Sequence, residues 1–353
     1  MSSDTVFPVV GPAEAETVLQ QFADCCARFQ LQSVAHQGFS GARIWKVVAS
    51  DPRFLAPLCL KRWPDDHPPP ARLPWIHQVL LQARERGISF VPQPYFTRGG
   101  QSSCEWNSAT WELMTWLPGE VETAPQPSPQ RITAAFRALA AFHQATADVH
   151  QSSGNANQPA PAIADRLARW RDLTGGGSEQ IQQACQRRSI PALDDLAALW
   201  LARHAKLPVS LTSRLFDAAK LTLPLQPAIR DLWRDHVLFD GDNVAGFIDF
   251  GAMRIDTPLT DIARLLGSLA GDDPALRQIA IDTYSAANPL SAADRDVIDL
   301  LDHTGAILAG WNWLEWLYVD GRQFPSLPAV RERFTTLVGR TIGPPGVVIS
   351  ADA

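Results

Sequence analysis

Residues 230–253, RDLWRDHVLFDGDNVAGFIDFGAM, contain five aspartates, and their spacing separates those that could do chemistry from those that shape turns. Val237, Leu238 and Phe239 read as a short strand, Asp240-Gly241-Asp242-Asn243 as a turn, and 244–248 as the returning strand. An antiparallel hairpin brings the chain back to the end where it started, so Asp231 before the first strand and Asp249 after the second become neighbours. At about 3.3 Å per residue, Asp240 and Asp242 stand roughly 13 to 17 Å away at the tip and read as turn residues. Gly251 lets the chain bend sharply after the second acid. Two carboxylates on neighbouring loops either cap their own turns or divide a proton and a metal ion between them.

The rest of the chain must hold these loops in position. Its 353 residues divide into two or three compact units with a sizeable core. A formal charge of -6 and scattered Lys and Arg give no footprint for nucleic acid. No long apolar run suggests a membrane span, and the start of the chain lacks the pattern of a signal peptide, so a cytoplasmic protein is expected. The five cysteines form no C-x-x-C pair and read as reduced core thiols. Apolar spacing predicts a helix over 13–29, strands over 33–37, 43–48 and 57–63, a helix over 73–86, and strand-like pieces at 91–96 and 110–116. A proline-rich connection over 118–130 leads to a helix over 132–146. Polar loops cover 152–162 and 174–178, and mostly helical segments run from Thr257 to about 339. The layout is α+β, a strand-rich lobe over 1–115 and a helix-rich lobe over 116–353 that contains the aspartate hairpin.

These residues resemble the aminoglycoside phosphotransferase and choline kinase group within the protein-kinase-like fold. In that group a catalytic loop of the form HGDxxxxN precedes a hairpin and an IDFG or IDWE element. Here IRDLWRDHVLF and GFIDFGAM match the frame, with Asp249 eighteen residues after Asp231, and DTPLTDIA over 256–263 is similar to the group's DPxxDLA. The resemblance implies a bilobal fold and transfer of phosphate from ATP to a hydroxyl of a small molecule: an amino alcohol, a sugar or an aminoglycoside-like acceptor. Asp231 would be the catalytic base, and Asp249 the ligand of Mg²⁺ or Mn²⁺. Lys61, in its strand, would bind phosphate. Gly38, Ser40 and Gly41 form a turn that would either cover the phosphates or simply join two strands. Met114 and Trp116 lie in a stretch that is either an edge strand or the hinge that receives adenine.

Two departures accompany the match. The helix after the lysine strand carries His77 where the group has a glutamate, and Glu85 lies two turns further on. His236 replaces the asparagine expected five residues after the catalytic aspartate. The substitution implies a retuned metal site with His236 as a ligand, an adapted acceptor pocket, or an inactive nucleotide-binding or protein-interaction module. His143 reads as a packed helix-end histidine and Asp261 as a structural acid near a helix start. Trp313 and Trp316, one helical turn apart, are either core or part of an acceptor pocket, and Trp233 beside Asp231 is the better candidate to touch an acceptor.

Overall fold

The computed structural model describes residues 12–22, 29–34, 41–49, 56–64, 67–124, 126–149 and 159–340. Strands β1 (Phe29–Ser33), β2 (Arg43–Ala49), β3 (Leu58–Arg62), β4 (Cys104–Trp106) and β5 (Ala109–Thr115) form one antiparallel sheet in the order β1-β2-β3-β5-β4. Because successive side chains alternate across a strand, Leu58, Leu60, Trp111 and Leu113 share one face, where they pack with α1 (Pro12–Leu19). Trp45 and Trp111 stack there with ring centroids 5.3 Å apart. The other face carries Lys61 and Glu112, partners across the β3–β5 ladder.

The helix expected over 73–86 is α2 (Leu73–Glu85); it buries Leu73, Ile76, His77, Leu80 and Ala83 at helical spacing, and Gly87 at φ 89° closes it. Its apolar side chains and Trp63 belong to the larger core, which continues through the helix-rich remainder. The strand-like piece at 91–96 is a loop, since it makes only an isolated bridge from Pro94 to Met114. The leading helix stops at Leu19, and β1 begins at Phe29 rather than near 33.

The proline-rich connection contributes a strand of its own, β6 (Glu120–Val121). Helix α3 (Pro129–Thr146) then starts on Ser128, whose Oγ accepts the Arg131 N–H at 3.1 Å, with Pro129 in the first turn. Helices α4 (Pro161–Asp172) and α5 (Ser178–Arg187) are joined by a π-helical turn, Leu173–Gly177. The polar stretch expected as a loop at 174–178 is therefore a bend in a helix, made where Gly176 takes φ 115°. Helices α6 (Asp194–His204) and α7 (Val209–Ala218) follow.

The segment that carries the aspartate hairpin is built on two antiparallel pairs. Strands β7 (Gln226–Ala228) and β10 (Arg254–Asp256) form one; β8 (Val237–Asp240) and β9 (Asn243–Phe247) form the hairpin, on which β6 lies as a third strand. Helices α8 (Leu259–Leu269), α9 (Pro274–Ala287), α10 (Ala292–Leu314) and α11 (Leu327–Gly339) complete the helical part. No helix among the described residues is long and apolar enough to cross a membrane.

Candidate active site

The chain leaves the β7/β10 pair at Ala228, enters the hairpin at Val237, leaves it at Phe247 and rejoins the first pair at Arg254. The loops 229–236 and 248–253 are thus clamped at both ends, and they carry Asp231 and Asp249. Apart from the Asn107-Ser108 turn, the described non-glycine residues with positive φ are Arg230 at 66° and Asp249 at 61°. Such backbone costs of order 1 kcal/mol or more per residue and persists where surrounding contacts fix it. Asp261 supplies those contacts for the first loop, accepting the N–H groups of Ile229 at 2.7 Å and Arg230 at 2.5 Å. His143 in turn holds Asp261 at 3.1 Å and Tyr284 at 2.8 Å, so this histidine and this acid form a buried brace under the loop.

Asp249 meets the sheet. Its Oδ1 accepts from Lys61 Nζ at 2.8 Å, although the two residues lie 188 positions apart. Burial would push the Asp249 carboxyl up, but the Lys61 ammonium overrules it and holds the acid well below the usual carboxylate range. The Lys61 ammonium also sits 3.5 Å over the ring of Trp63. A Cβ on Gly251 would approach that same ring at 2.6 Å. Close contact with Trp63 therefore accounts for this glycine; its φ lies outside the left-handed region that a sharp bend would need.

Lys61 faces Glu112 across the sheet, and directly opposed residues hold their Cβ atoms about 5 Å apart. Glu112 Oε2 lies 2.9 Å from His77 Nε2 of α2, with both side chains buried. The acid absent from the helix is therefore present on the neighbouring strand, and the helix contributes a histidine to it. One sequence signal announced Glu112, a lone acid inside the apolar run ATWELMT. Beside it, burial pushes the Cys59 thiol up to about 12, which leaves it inert.

Asp231 is half exposed, and its Oδ1 accepts from Arg264 of α8 at 3.0 Å. His236 links the two acid loops. Its Nδ1 donates to the Asp231 carbonyl at 2.7 Å, because a carbonyl can only accept. Its Nε2 then accepts the indole N–H of Trp233 at 3.1 Å and stands 3.8 Å from Asp249 Oδ2. Nε2, the ring nitrogen near Asp249, is thus engaged by Trp233.

The remaining expected residues divide. Gly38 and Ser40 lie outside the described residues, and Gly41 is in a left-handed conformation at φ 79°. Met114 is partly buried at the end of β5, and the Trp116 N–H is bonded to Pro57 O at 2.9 Å, leaving its ring near Lys46. Trp313 and Trp316 pack edge to face at 5.4 Å in an aromatic cluster with Phe324, away from the company Trp233 keeps with His236 and Arg333. Arg264, Arg333, Glu112 and Trp63 were not singled out by the sequence.

Among the described residues no three His, Cys, Asp or Glu side chains form a metal cluster. A single ionised carboxylate still fits a divalent ion of the kind that takes one or two protein carboxylates and completes its shell with phosphate and water.

The model of the phosphotransferase enzyme family (APH) matches residues 32–301. The homoserine kinase of Methylobacillus flagellatus is 28% identical over 228 residues, 63% of this chain. The chain spans 62% of the length of that relative. The aminoglycoside phosphotransferase of Alicyclobacillus acidocaldarius superposes with a TM-score of 0.58 at 18% identity, covering 91% of each chain. An amicoumacin kinase in complex with AMP-PNP, Ca²⁺ and Ami does so with a TM-score of 0.59 at 14% identity, covering 92% of this chain and 91% of that one. At these identities the structural likeness is one of fold.

Proposed function

The chain belongs to the phosphotransferase enzyme family and has its α+β, kinase-like fold; from that premise we propose that it transfers the γ-phosphoryl group of ATP to the hydroxyl of a small hydroxy amino acid or amino alcohol. One observation carries the reading. Lys61 from the sheet and Asp249 from the second loop meet at 2.8 Å, while His236 accepts the Ile248 N–H of that loop through its carbonyl at 3.0 Å and donates through its ring to the Asp231 carbonyl. A phosphate-binding cation from the sheet thus converges with a metal-binding acid and a candidate base from the two loops that flank the hairpin.

In the reaction the acceptor oxygen bonds to the γ-phosphorus as the bond to the bridging oxygen breaks and ADP leaves with that electron pair. Asp231 holds the hydroxyl in line and takes its proton late; Arg264 occupies Oδ1, so Oδ2 faces the acceptor. Lys61 grips the phosphates from the strand-rich unit over 1–115, and Asp249, in the unit over 116–353, would hold Mg²⁺ or Mn²⁺. That ion, when bound, neutralises phosphate charge. His236 acts as a brace between loops. Dependence on ATP accords with work in the cytoplasm, and the resemblance to a homoserine kinase supports a small amino-acid acceptor over a sugar or an aminoglycoside.

The test is ADP release coupled to acceptor phosphorylation. In Asp231→Asn transfer should fall at least about a hundredfold, the usual scale for removing a general base, while the thermal shift given by ATP persists. Equal turnover in variant and parent would remove Asp231 from the mechanism. A parent that binds ATP and phosphorylates no hydroxyl would sink the enzymatic reading.

A further inference from the structure

Helix α11 presents a guanidinium that the mechanism above does not use. Arg333 is partly buried, with its Cζ 3.4 Å from the centre of the Trp233 ring, and among the described residues it makes no hydrogen bond and no ion pair. Nearby arginines are matched: Arg331 pairs with Asp195 at 2.6 Å, and Arg340 with Asp302 at 2.8 Å. Its N–H groups reach solvent with no carboxylate of the described residues beside them, so the fork is open to a partner that arrives from outside.

The surroundings say where that partner would sit. Trp233 is locked relative to Asp231, because its N–H is held by His236 Nε2 at 3.1 Å and the other ring nitrogen donates to the Asp231 carbonyl at 2.7 Å. Arg333, stacked on that indole, is therefore held in register with the carboxylate that receives the acceptor hydroxyl. Arg264 is bonded to Asp231 itself at 3.0 Å. Asp231 and Asp235 act on Arg333 through space, from beyond ion-pair distance. Burial, and then Arg264, pull its pKa down to about 9, the response of a cation in cationic company. A polycation would be repelled from this corner; one carboxylate matches the free guanidinium fork of Arg333.

We propose that Arg333, stacked on Trp233 and supported by Arg264, binds a carboxylate carried by the acceptor, so that the substrate class is a hydroxy acid whose hydroxyl reaches Asp231 while its carboxylate reaches Arg333. This rests on the phosphotransferase reading and narrows its acceptor.

L-homoserine and 3-aminopropan-1-ol form a matched pair that differs by the carboxylate alone. The parent should use homoserine with a kcat/KM at least about tenfold higher, the scale of one charge-assisted hydrogen bond. Arg333→Gln should erase most of that preference through KM, and Arg333→Lys should keep part of it. A parent that prefers the decarboxylated compound, or an undiminished preference in Arg333→Gln, would overturn the proposal. Calorimetry without ATP gives an independent readout, with 4-hydroxybutyrate set against butane-1,4-diol. Binding of the anion alone, lost in Arg333→Gln, is expected; equal binding of both, of neither, or undiminished binding in the variant would overturn it. Anion binding through Arg333 in a protein that transfers phosphate to nothing would instead sink the phosphotransferase reading and leave the anion site standing.

Discussion

Lys61 pairs with Asp249, while Glu112, its partner in the β3–β5 ladder, is bonded to His77. Asp249 holds the ammonium at 2.8 Å, but a divalent ion would draw on that same carboxylate. Glu112 then stands opposite Lys61 on the same face of the sheet, a second carboxylate toward which the released ammonium can turn. Glu112→Gln keeps the shape and a hydrogen-bonding group opposite Lys61 and against His77, and removes only the charge. We expect kcat/KM for ATP to fall about tenfold, equivalent to about 1.4 kcal/mol of lost transition-state stabilisation, with the denaturation midpoint little changed. Unaltered ATP kinetics would reduce Glu112 to a partner of His77. Burial keeps the neighbouring Cys59 thiol protonated, so a thiolate beside Lys61 would not mask the effect.

At the level of elements, α10 and α6 meet at a glycine whose replacement sets two effects against each other. Helix propensity alone favours Gly310→Ala by about 1 kcal/mol. A Cβ at that position, however, would lie 2.2 to 2.5 Å from three atoms of the Trp200 ring. Trp200 is buried between His204, with ring centroids at 4.2 Å, and Phe334 at 5.9 Å, and has little room to retreat. Overpacking of this kind typically costs about 1 to 3 kcal/mol and should win. Chemical denaturation should therefore show Gly310→Ala to be less stable than the parent. Trp200→Leu in the same background should recover part of the loss, because the two changes share one contact. A stabilised Gly310→Ala would show that the helices separate freely.

The same contact gives the whole molecule a pH dependence. Burial, helped by the nearby Arg203 charge, lowers the His204 pKa from 6.5 to about 4. The folded state therefore favours the neutral ring. That contribution is fully present above about pH 6.5 and is lost as the pH falls through the folded value near 4. The shift corresponds to roughly 3 kcal/mol at most. Denaturant titrations at pH 7 and pH 4.5 should show a loss of a few kcal/mol in the parent and a smaller one in His204→Phe. The same loss in both would assign the acid sensitivity to other groups. Asp249 contributes in the lower window, since an acid held below its ordinary range stabilises above that range and ceases to do so as it protonates.

The sequence by itself determined the hairpin, the two acid loops at its base, the strand that carries Lys61 and the helical character of the chain beyond Thr257. Each is written locally, in a period of two, in turn residues, or in apolar spacing near 3.6. The family frame followed from the distance between Asp231 and Asp249, which a hairpin of that length fixes. Strand register put Glu112 opposite Lys61, a choice that an apolar run with one acid leaves open until β3 and β5 pair. Packing set Trp63 against Gly251, and helix placement carried Arg264 and Arg333 to the Asp231 loop. An arginine on an amphipathic helix looks the same in sequence whether it faces water or a substrate. Only the tertiary structure decides, because burial and pairing depend on which distant segments arrive beside it.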